Sequence, residues 1–556
     1  MAGKPFPAIR ITGWPVPSPE AKNGPGAEGL AMRRSTITAA PAAALGAAVA
    51  VAVAMTVAIP GEPAAARATA EAGCLLGGAD FDGDTCGDLV IGDPAATVSG
   101  SANAGRINVL YGDDSGTGRR DVLAQGQAGV GDTAEAGDQF GAAVHAMWVD
   151  SDQYVDLVVG VPQESVGSAD DAGIVQVIYG SPGGLGAGRP GLVLRQGASG
   201  ITGTPEAGDR FGAAVGPNET RTDDGSAPVI AYGVPGEDIG TTADAGLAGV
   251  VTFDPETGGV AATGSVHQDS PGISGDVEAG DRFGQAIGVF QGPGGFSCPV
   301  SGTRGLTMAV GAPGEDFTAT QDPGMVHVIR DLSGDTLLSQ DTAGVDGTPE
   351  AGDRFGAAIA LRSDCEHDGP SHVKLAVGTP GEDEGTIADS GMIHYFGTDD
   401  DELPLPPRWS VHQNSPDVAD QSEPGDGFGS VLALGGPWRG NDVGAAIVVG
   451  VPREDAGAGV DAGAVQIFGD SLVAPGTSDV FVTQARAAEP VEAGDGFGTA
   501  VAAYHDHLYV GTPDDVTHGQ GVVHGIPWAA TGTGLSLAPG RDGIPGDAVR
   551  FGAAVD

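Results

Sequence analysis

The chain has 556 residues and a formal net charge of −49, with 74 Asp and Glu against 25 Lys and Arg. Such a field repels phosphate and excludes a bulk nucleic-acid binder. Glycine (97) and proline (39) approach the level at which composition alone reads as disordered, but 40% hydrophobic residues are enough to build a core.

Residues 1–31 carry Pro and Gly without a pattern and read as a disordered extension upstream of a start at Met32. Met32-Arg33-Arg34 then leads into an apolar, Ala-rich stretch from Ala42 to Ile59. Ala64–Ala66 and Ala66–Ala68 both fit a small-x-small cleavage site. Basic start, apolar middle and small-residue end predict a secretory signal over 32–68. The rival is a membrane anchor, since Ala42–Ile59 approaches the ~20 residues needed to span. Alanine is weakly apolar, so export with cleavage is preferred. The mature chain is then secreted or cell-surface associated, with no membrane span. Cys74, Cys86, Cys298 and Cys365 make an even count. Outside the cytosol that favours disulfides.

The first strong chemical motif is Asp80-Phe-Asp82-Gly-Asp84-Thr-Cys86-Gly-Asp88. Its carboxylates fall at alternate positions of a tight turn, with Gly83 permitting the bend, so they can converge on one point. Hard oxygen donors at this density suit Ca²⁺ better than Zn²⁺. Asp150, Asp152, Tyr154 and Asp156 stand in the same register further on, as a weaker second site with Trp148 in place of the first carboxylate.

A repeat dominates the rest. Glu135-Ala-Gly-Asp-Gln-Phe140-Gly141 returns with variations at Phe211, Phe283, Phe355, Phe428, Phe497 and Phe551, at spacings of 71, 72, 72, 73, 69 and 54. Between them runs a second phrase: Ile91-Gly-Asp-Pro94, Val159-Gly-Val-Pro162, Tyr232-Gly-Val-Pro235, Val310-Gly-Ala-Pro313, Val377-Gly-Thr-Pro380, Val449-Gly-Val-Pro452 and Val510-Gly-Thr-Pro513. A Gln stands 15 residues before the next Phe at 125, 196, 268, 340 and 413, and a further one is Gln484. Each period reads as four short strands, one of them beginning at Phe-Gly. Four-stranded sheets repeated seven times predict an all-β, seven-bladed β-propeller over 69–556. The series opens on a second phrase and closes on a Phe-Gly. The strand at Arg550–Val555 is therefore expected to complete the blade of Asp80–Pro94.

Phe283-Gly284 followed by Gly311-Ala312-Pro313 resembles the FG-GAP repeats of the integrin alpha-subunit propeller and of secreted bacterial proteins. The resemblance implies a calcium loop at Asp80, Asp82, Asp84, the Cys86 carbonyl and Asp88. It also implies a ligand-binding face where the blade-joining loops and the hairpins between strands two and three emerge. Two carboxylate sets recur there. One precedes each Phe-Gly, as Glu206 and Asp209. The other follows the proline, as Glu237, Asp238 and Asp244. Shaping tight turns is the role preferred for most of them. The cysteines are expected to pair as Cys74–Cys86, pinning the lead-in to the loop, and as Cys298–Cys365, in equivalent loops of neighbouring blades.

Nucleophile elbows, zinc-protease helices and phosphate loops are absent from the sequence. His327, His394 and His524 share one repeat position with Gln176 and Gln466, which argues for a structural hydrogen bond. The expected function is a monomeric integrin-alpha-like adhesion or binding propeller for an extracellular protein or glycan, with structural Ca²⁺. The alternative is an extracellular hydrolase or lyase using the propeller face or the central channel.

Overall fold

The computed structural model describes residues 78–556, apart from 114–117, 218–226, 292–304, 318–319, 366–370, 399–403, 437–445, 470–478, 529–533 and the single positions 458, 505, 519 and 542. The extension over 1–31, the signal over 32–68, Cys74 and Cys298 lie outside the described residues, as does the side chain of Cys365. Both expected disulfide pairings therefore fall beyond them; Cys86 itself is buried.

The described strands form seven four-stranded antiparallel sheets. The second sheet is typical, with strands Ala143–Met147, Asp156–Val161, Ile174–Ile178 and Leu192–Leu194 paired in that order. Asp156–Val161 is buried at all six positions, because sheets cover it on both faces. That is why the second strands read as continuous β-branched runs rather than alternating ones. The first strand of each sheet lies innermost. Together these seven strands line a central cavity of about 610 Å³. Among the described residues the helical content is one 3₁₀ turn, Gln484–Ala487. No helix among them is long and apolar enough to cross a membrane.

The ring closes as the repeat phase predicts. Ala554–Val555 pairs with Leu89–Asp93, Val555 opposite Ile91 and Ala554 opposite Gly92. Gly552 N–H donates to Gly92 O at 3.0 Å, and Asp556 N–H to Val90 O at 3.0 Å.

One detail of the strand reading is corrected. The repeated Phe does not begin the first strand; it sits in the turn before it, as Phe140 does ahead of Ala143–Met147. Its backbone is held by the preceding blade, Phe140 N–H donating to Ala104 O at 2.9 Å. Its ring packs between blades, among Ile107 and Val109 on one side and Val144 and Val159 on the other. All seven of these phenylalanines are fully buried.

The glycines of the two phrases meet across every blade boundary. A Cβ on Gly92, Gly160, Gly233, Gly311, Gly378, Gly450 or Gly511 would overlap the carbonyl oxygen of Gly141, Gly212, Gly284, Gly356, Gly429, Gly498 or Gly552 respectively. The blocking atom is backbone and cannot swing aside. Gly233→Ala should therefore destabilise by at least about 2 kcal/mol through overpacking. Gly334→Ala, in a strand where nothing lies within 4 Å of the added carbon, should be close to neutral. Paired urea denaturation curves test this, and equal midpoints for the two variants would refute the boundary role.

Candidate functional site

The Asp80–Asp88 loop leads into the second strand of the first blade. Asp88 is fully buried at its base. Its carboxylate accepts from Phe81 N–H at 2.8 Å and Gly112 N–H at 2.9 Å, tying the loop to the end of the third strand. Asp80 closes the turn itself, accepting from Gly83 N–H at 2.6 Å and Thr85 N–H at 3.1 Å. Asp80, Asp82 and Asp88 each bring one carboxylate oxygen within 4.8 Å of the others. Asp82 Oδ1 is buried with no hydrogen-bond partner. Asp84 does not join the group: it is exposed, and its carboxylate accepts from Cys86 N–H at 2.8 Å. Burial pushes Asp88 up to about 8, against the pull of its two N–H donors, and raises Asp80 and Asp82 as well. Three convergent carboxylates in a half-buried loop are costly without a counter-charge. Arg119 stacks 3.8 Å over the Tyr111 ring beside this loop and pulls the Asp82 carboxyl downward, but its own ion pair is with Asp121 at 2.9 Å.

The second loop repeats the frame, with its arginine placed differently. Asp156 accepts from Val149 N–H at 2.8 Å and Gly180 N–H at 2.9 Å, matching Asp88 bond for bond. Asp152 accepts from Tyr154 N–H at 2.8 Å, and Asp150 from Asp152 N–H at 3.0 Å. Here, however, the guanidinium of Arg189 pairs with Asp150 while stacking 3.4 Å over the Tyr179 ring. The protein supplies its own cation to this loop. The two loops are stacked, Val155 N–H donating to Asp80 O at 2.9 Å.

The two recurrent carboxylate sets do meet. Each Asp before Phe-Gly folds back on its own turn, as where Asp209 accepts from Glu206 N–H at 2.6 Å. The Asp after the proline braces its hairpin, Asp238 accepting from Asp244 N–H at 3.0 Å. These are the expected turn roles. The Glu after the proline does something else. Glu164, Glu237 and Glu454 accept from Gln125, Gln196 and Gln413 of the preceding blade at 2.5, 2.6 and 2.5 Å, and Gln268–Glu315 and Gln340–Glu382 repeat the pair. The recurrent Gln was visible in the sequence, but its partner was not, because the two lie about 40 residues apart on different blades. Burial raises Glu164 to about 8, Glu315 and Glu382 to about 7, and the neighbouring Asp209 and Asp426 to about 7.

The His and Gln of the third strand make the structural bonds expected of them. His394 Nδ1 meets Ser410 Oγ at 2.8 Å, and Gln466 donates to Ala419 O at 2.7 Å. His327 Nδ1 lies 2.7 Å from Asp335.

The raised carboxylates fix a direction for stability against pH. Their unfolded values are near 4, so between about pH 4 and pH 8 the native state holds more protons than the unfolded chain. Native stability therefore rises as pH falls through that window and is lost as pH climbs past the folded values. In metal-free buffer the melting temperature should increase from about pH 8 to about pH 5. A melting temperature that drops steadily over the same range would contradict it.

A seven-bladed β-propeller with a hairpin of convergent carboxylates is the class that fold and loop define. No protein-family model matches the chain. A stretch of 126 residues is 32% identical to phosphatidylinositol-glycan-specific phospholipase D of Rattus norvegicus, covering 22% of this chain and 15% of that protein. The protein of that name from Mus musculus matches over 125 residues at 31% identity, with the same coverage of 22% and 15%. The match thus spans a small part of these relatives' length. Among solved structures, a Synechocystis apocarotenoid oxygenase mutant aligns over 86% of this chain and 93% of its own, at 10% identity and a TM-score of 0.41.

Proposed function

We propose that the chain is a secreted or cell-surface, adhesion-like binding propeller of the FG-GAP kind, stabilised by Ca²⁺ at the Asp80–Asp88 loop. The observation that carries the calcium reading is the convergence of Asp80, Asp82 and Asp88 around a buried, unpartnered Asp82 oxygen. All available donors are hard oxygens, the set that suits Ca²⁺. The second loop supports it from within the same chain, since Arg189 meets the equivalent charge there. Asp80, Asp82 and Asp88 would hold the ion, with the Cys86 carbonyl as a further donor. Asp84 would order the turn through Cys86 N–H. The expected disulfides Cys74–Cys86 and Cys298–Cys365 belong to the same extracellular reading.

The binding role rests on the acidic face and on the FG-GAP resemblance, and the partner class is an extracellular protein or glycan. Calcium should add about 2.7 kcal/mol to native stability at a hundredfold excess over Kd. Chelation should lower the melting temperature of the native protein, and Asp82→Asn should reduce that response. A melting curve indifferent to chelator would exclude the loop as a calcium site. Calcium-dependent capture on a protein or glycan array tests the binding role.

The enzyme reading has one observation of its own. In a largely apolar cavity wall, Tyr504 O–H donates to Asp556 at 2.5 Å, and His145 Nδ1 lies 3.8 Å from the same carboxylate. Hydrolysis of a phosphatidylinositol-glycan substrate, abolished by Tyr504→Phe, would favour that reading over adhesion.

A further inference from the structure

The junction between the first and second blades gathers acidic side chains on the opposite side of the sheets from the Asp80 loop. Glu135 and Asp138 come from the loop joining the blades, and Glu164 from the hairpin between the second and third strands of the second blade. Each brings one oxygen within 4.8 Å of the other two. Asp138 and Glu164 are buried, while Glu135 is exposed at the rim. Into this group reaches the carboxamide of Gln125, only 3% exposed. Its Nε2 donates to Glu164 at 2.5 Å, and its Oε1 is buried with no partner. The atoms left over are all oxygen acceptors. Asp132 adds a further negative charge that raises both buried carboxyls.

The same carboxamide oxygen is unpartnered at Gln196, Gln268, Gln340 and Gln413, but among the described residues three junction carboxylates converge only here and at the sixth junction. Two other junctions place a basic side chain beside their acids. Between the last blade and the first, Ala96 stands where the Glu would be. There Arg106 bridges Asp93 at 3.2 Å and Asp547 at 2.8 Å. Between the sixth and seventh blades Glu492, Asp495 and Asp515 converge in the same way. There His518 contacts Asp515 at 3.0 Å and Glu489 at 3.3 Å. The Glu135–Asp138–Glu164 group includes neither arginine nor histidine.

We propose that the first junction binds a divalent cation of the calcium type, held by Glu135, Asp138, Glu164 and the Gln125 carboxamide oxygen. Four oxygens from one exposed and three buried side chains leave room on the solvent side for water to complete the about 6–8 ligands that Ca²⁺ takes. Such an ion would tie the last strand of one blade to the loop and hairpin of the next, clamping the boundary beside Phe140.

The site is independent of the Asp80 loop, so the test separates the two. Equilibrium dialysis of the purified chain against calcium chloride counts bound ions in four forms: native, Asp82→Asn, Glu164→Gln and the double variant. Two ions are expected for the native chain, one for each single variant and none for the double. Far-UV circular dichroism checks that each variant is folded; Glu164→Gln keeps the shape and one hydrogen-bonding oxygen. An ion count unchanged by Glu164→Gln overturns the junction site and leaves the loop standing. A count that falls to one in Glu164→Gln but is unchanged by Asp82→Asn overturns the loop and leaves the junction. If Glu164→Gln instead raises the melting temperature equally with and without calcium, the cluster holds a shared proton and the metal site is wrong.

Discussion

Everything in this molecule depends on how closely two backbones approach at a blade boundary. The glycine of the second phrase faces the glycine carbonyl of the next blade's Phe-Gly, with no room for a methyl group at any of the seven boundaries. That contact sets the spacing at which the interblade phenylalanine fills its space completely. It also explains why both phrases carry glycine although their conformational demands differ. The Phe-Gly glycine has φ between 80° and 99° at every repeat, a region that favours glycine for its backbone alone. The other glycine is not left-handed and is required by packing only. Ala554–Val555 then covers the inner edge of Leu89–Asp93, which the start of the chain's own repeat series would leave open.

A chain with 74 acidic residues gives many of them backbone work. Asp138, Asp209, Asp281, Asp353 and Asp426 each accept the N–H three residues before, at 2.5 to 2.6 Å. Asp238, Asp316, Asp383 and Asp455 each brace a hairpin six residues long, at 2.8 to 3.0 Å. Each bond satisfies a donor that tight turns would otherwise leave unpaired. The cost is burial of charge at every junction, which the raised carboxyl values record. The Gln that crosses from the previous blade offsets part of it by donating to the Glu, and in doing so stitches neighbouring sheets through a side chain.

Fold and phase were legible in the sequence because duplication writes the same physical demand seven times. The period, the blade count and the closing strand could all be read from Phe-Gly and the second phrase. The position of Phe was misread as strand because a short apolar run bounded by glycine looks the same whether it pairs or turns. Only the preceding blade's Ala104 carbonyl decides it. The loop was legible as a carboxylate cluster from spacing, but not which carboxylates converge. Asp84 has the right spacing, and one of its carboxylate oxygens accepts from Cys86 N–H at the exposed side of the turn. Arg189 was invisible because it lies 39 residues beyond Asp150 and arrives through the hairpin between the third and fourth strands. The Gln–Glu pairs were hidden for the same reason: each partner belongs to a different repeat.

The informative places are those where the repeat departs from itself. A charge that served only solubility would not need to change in step with its neighbours. At three positions it does. The second loop loses its first carboxylate to Trp148 and has Arg189 on Asp150. The closing junction loses its Glu to Ala96 and has Arg106 between Asp93 and Asp547. The sixth junction shortens its Glu to Asp515 and has His518 beside it. In each case a buried acidic side chain is kept together with a cationic or protonatable group supplied by the chain. Paired burial of this kind costs less than an isolated buried charge. By the same physics, a cluster that keeps its carboxylates without such a partner must take its counter-charge from solution, as a metal ion or a proton. The Asp80 loop, where the neighbouring Arg119 pairs with Asp121 at 2.9 Å, and the first blade junction are two clusters that pose this choice. They lie on different residues, so each can be emptied by substitution without touching the other.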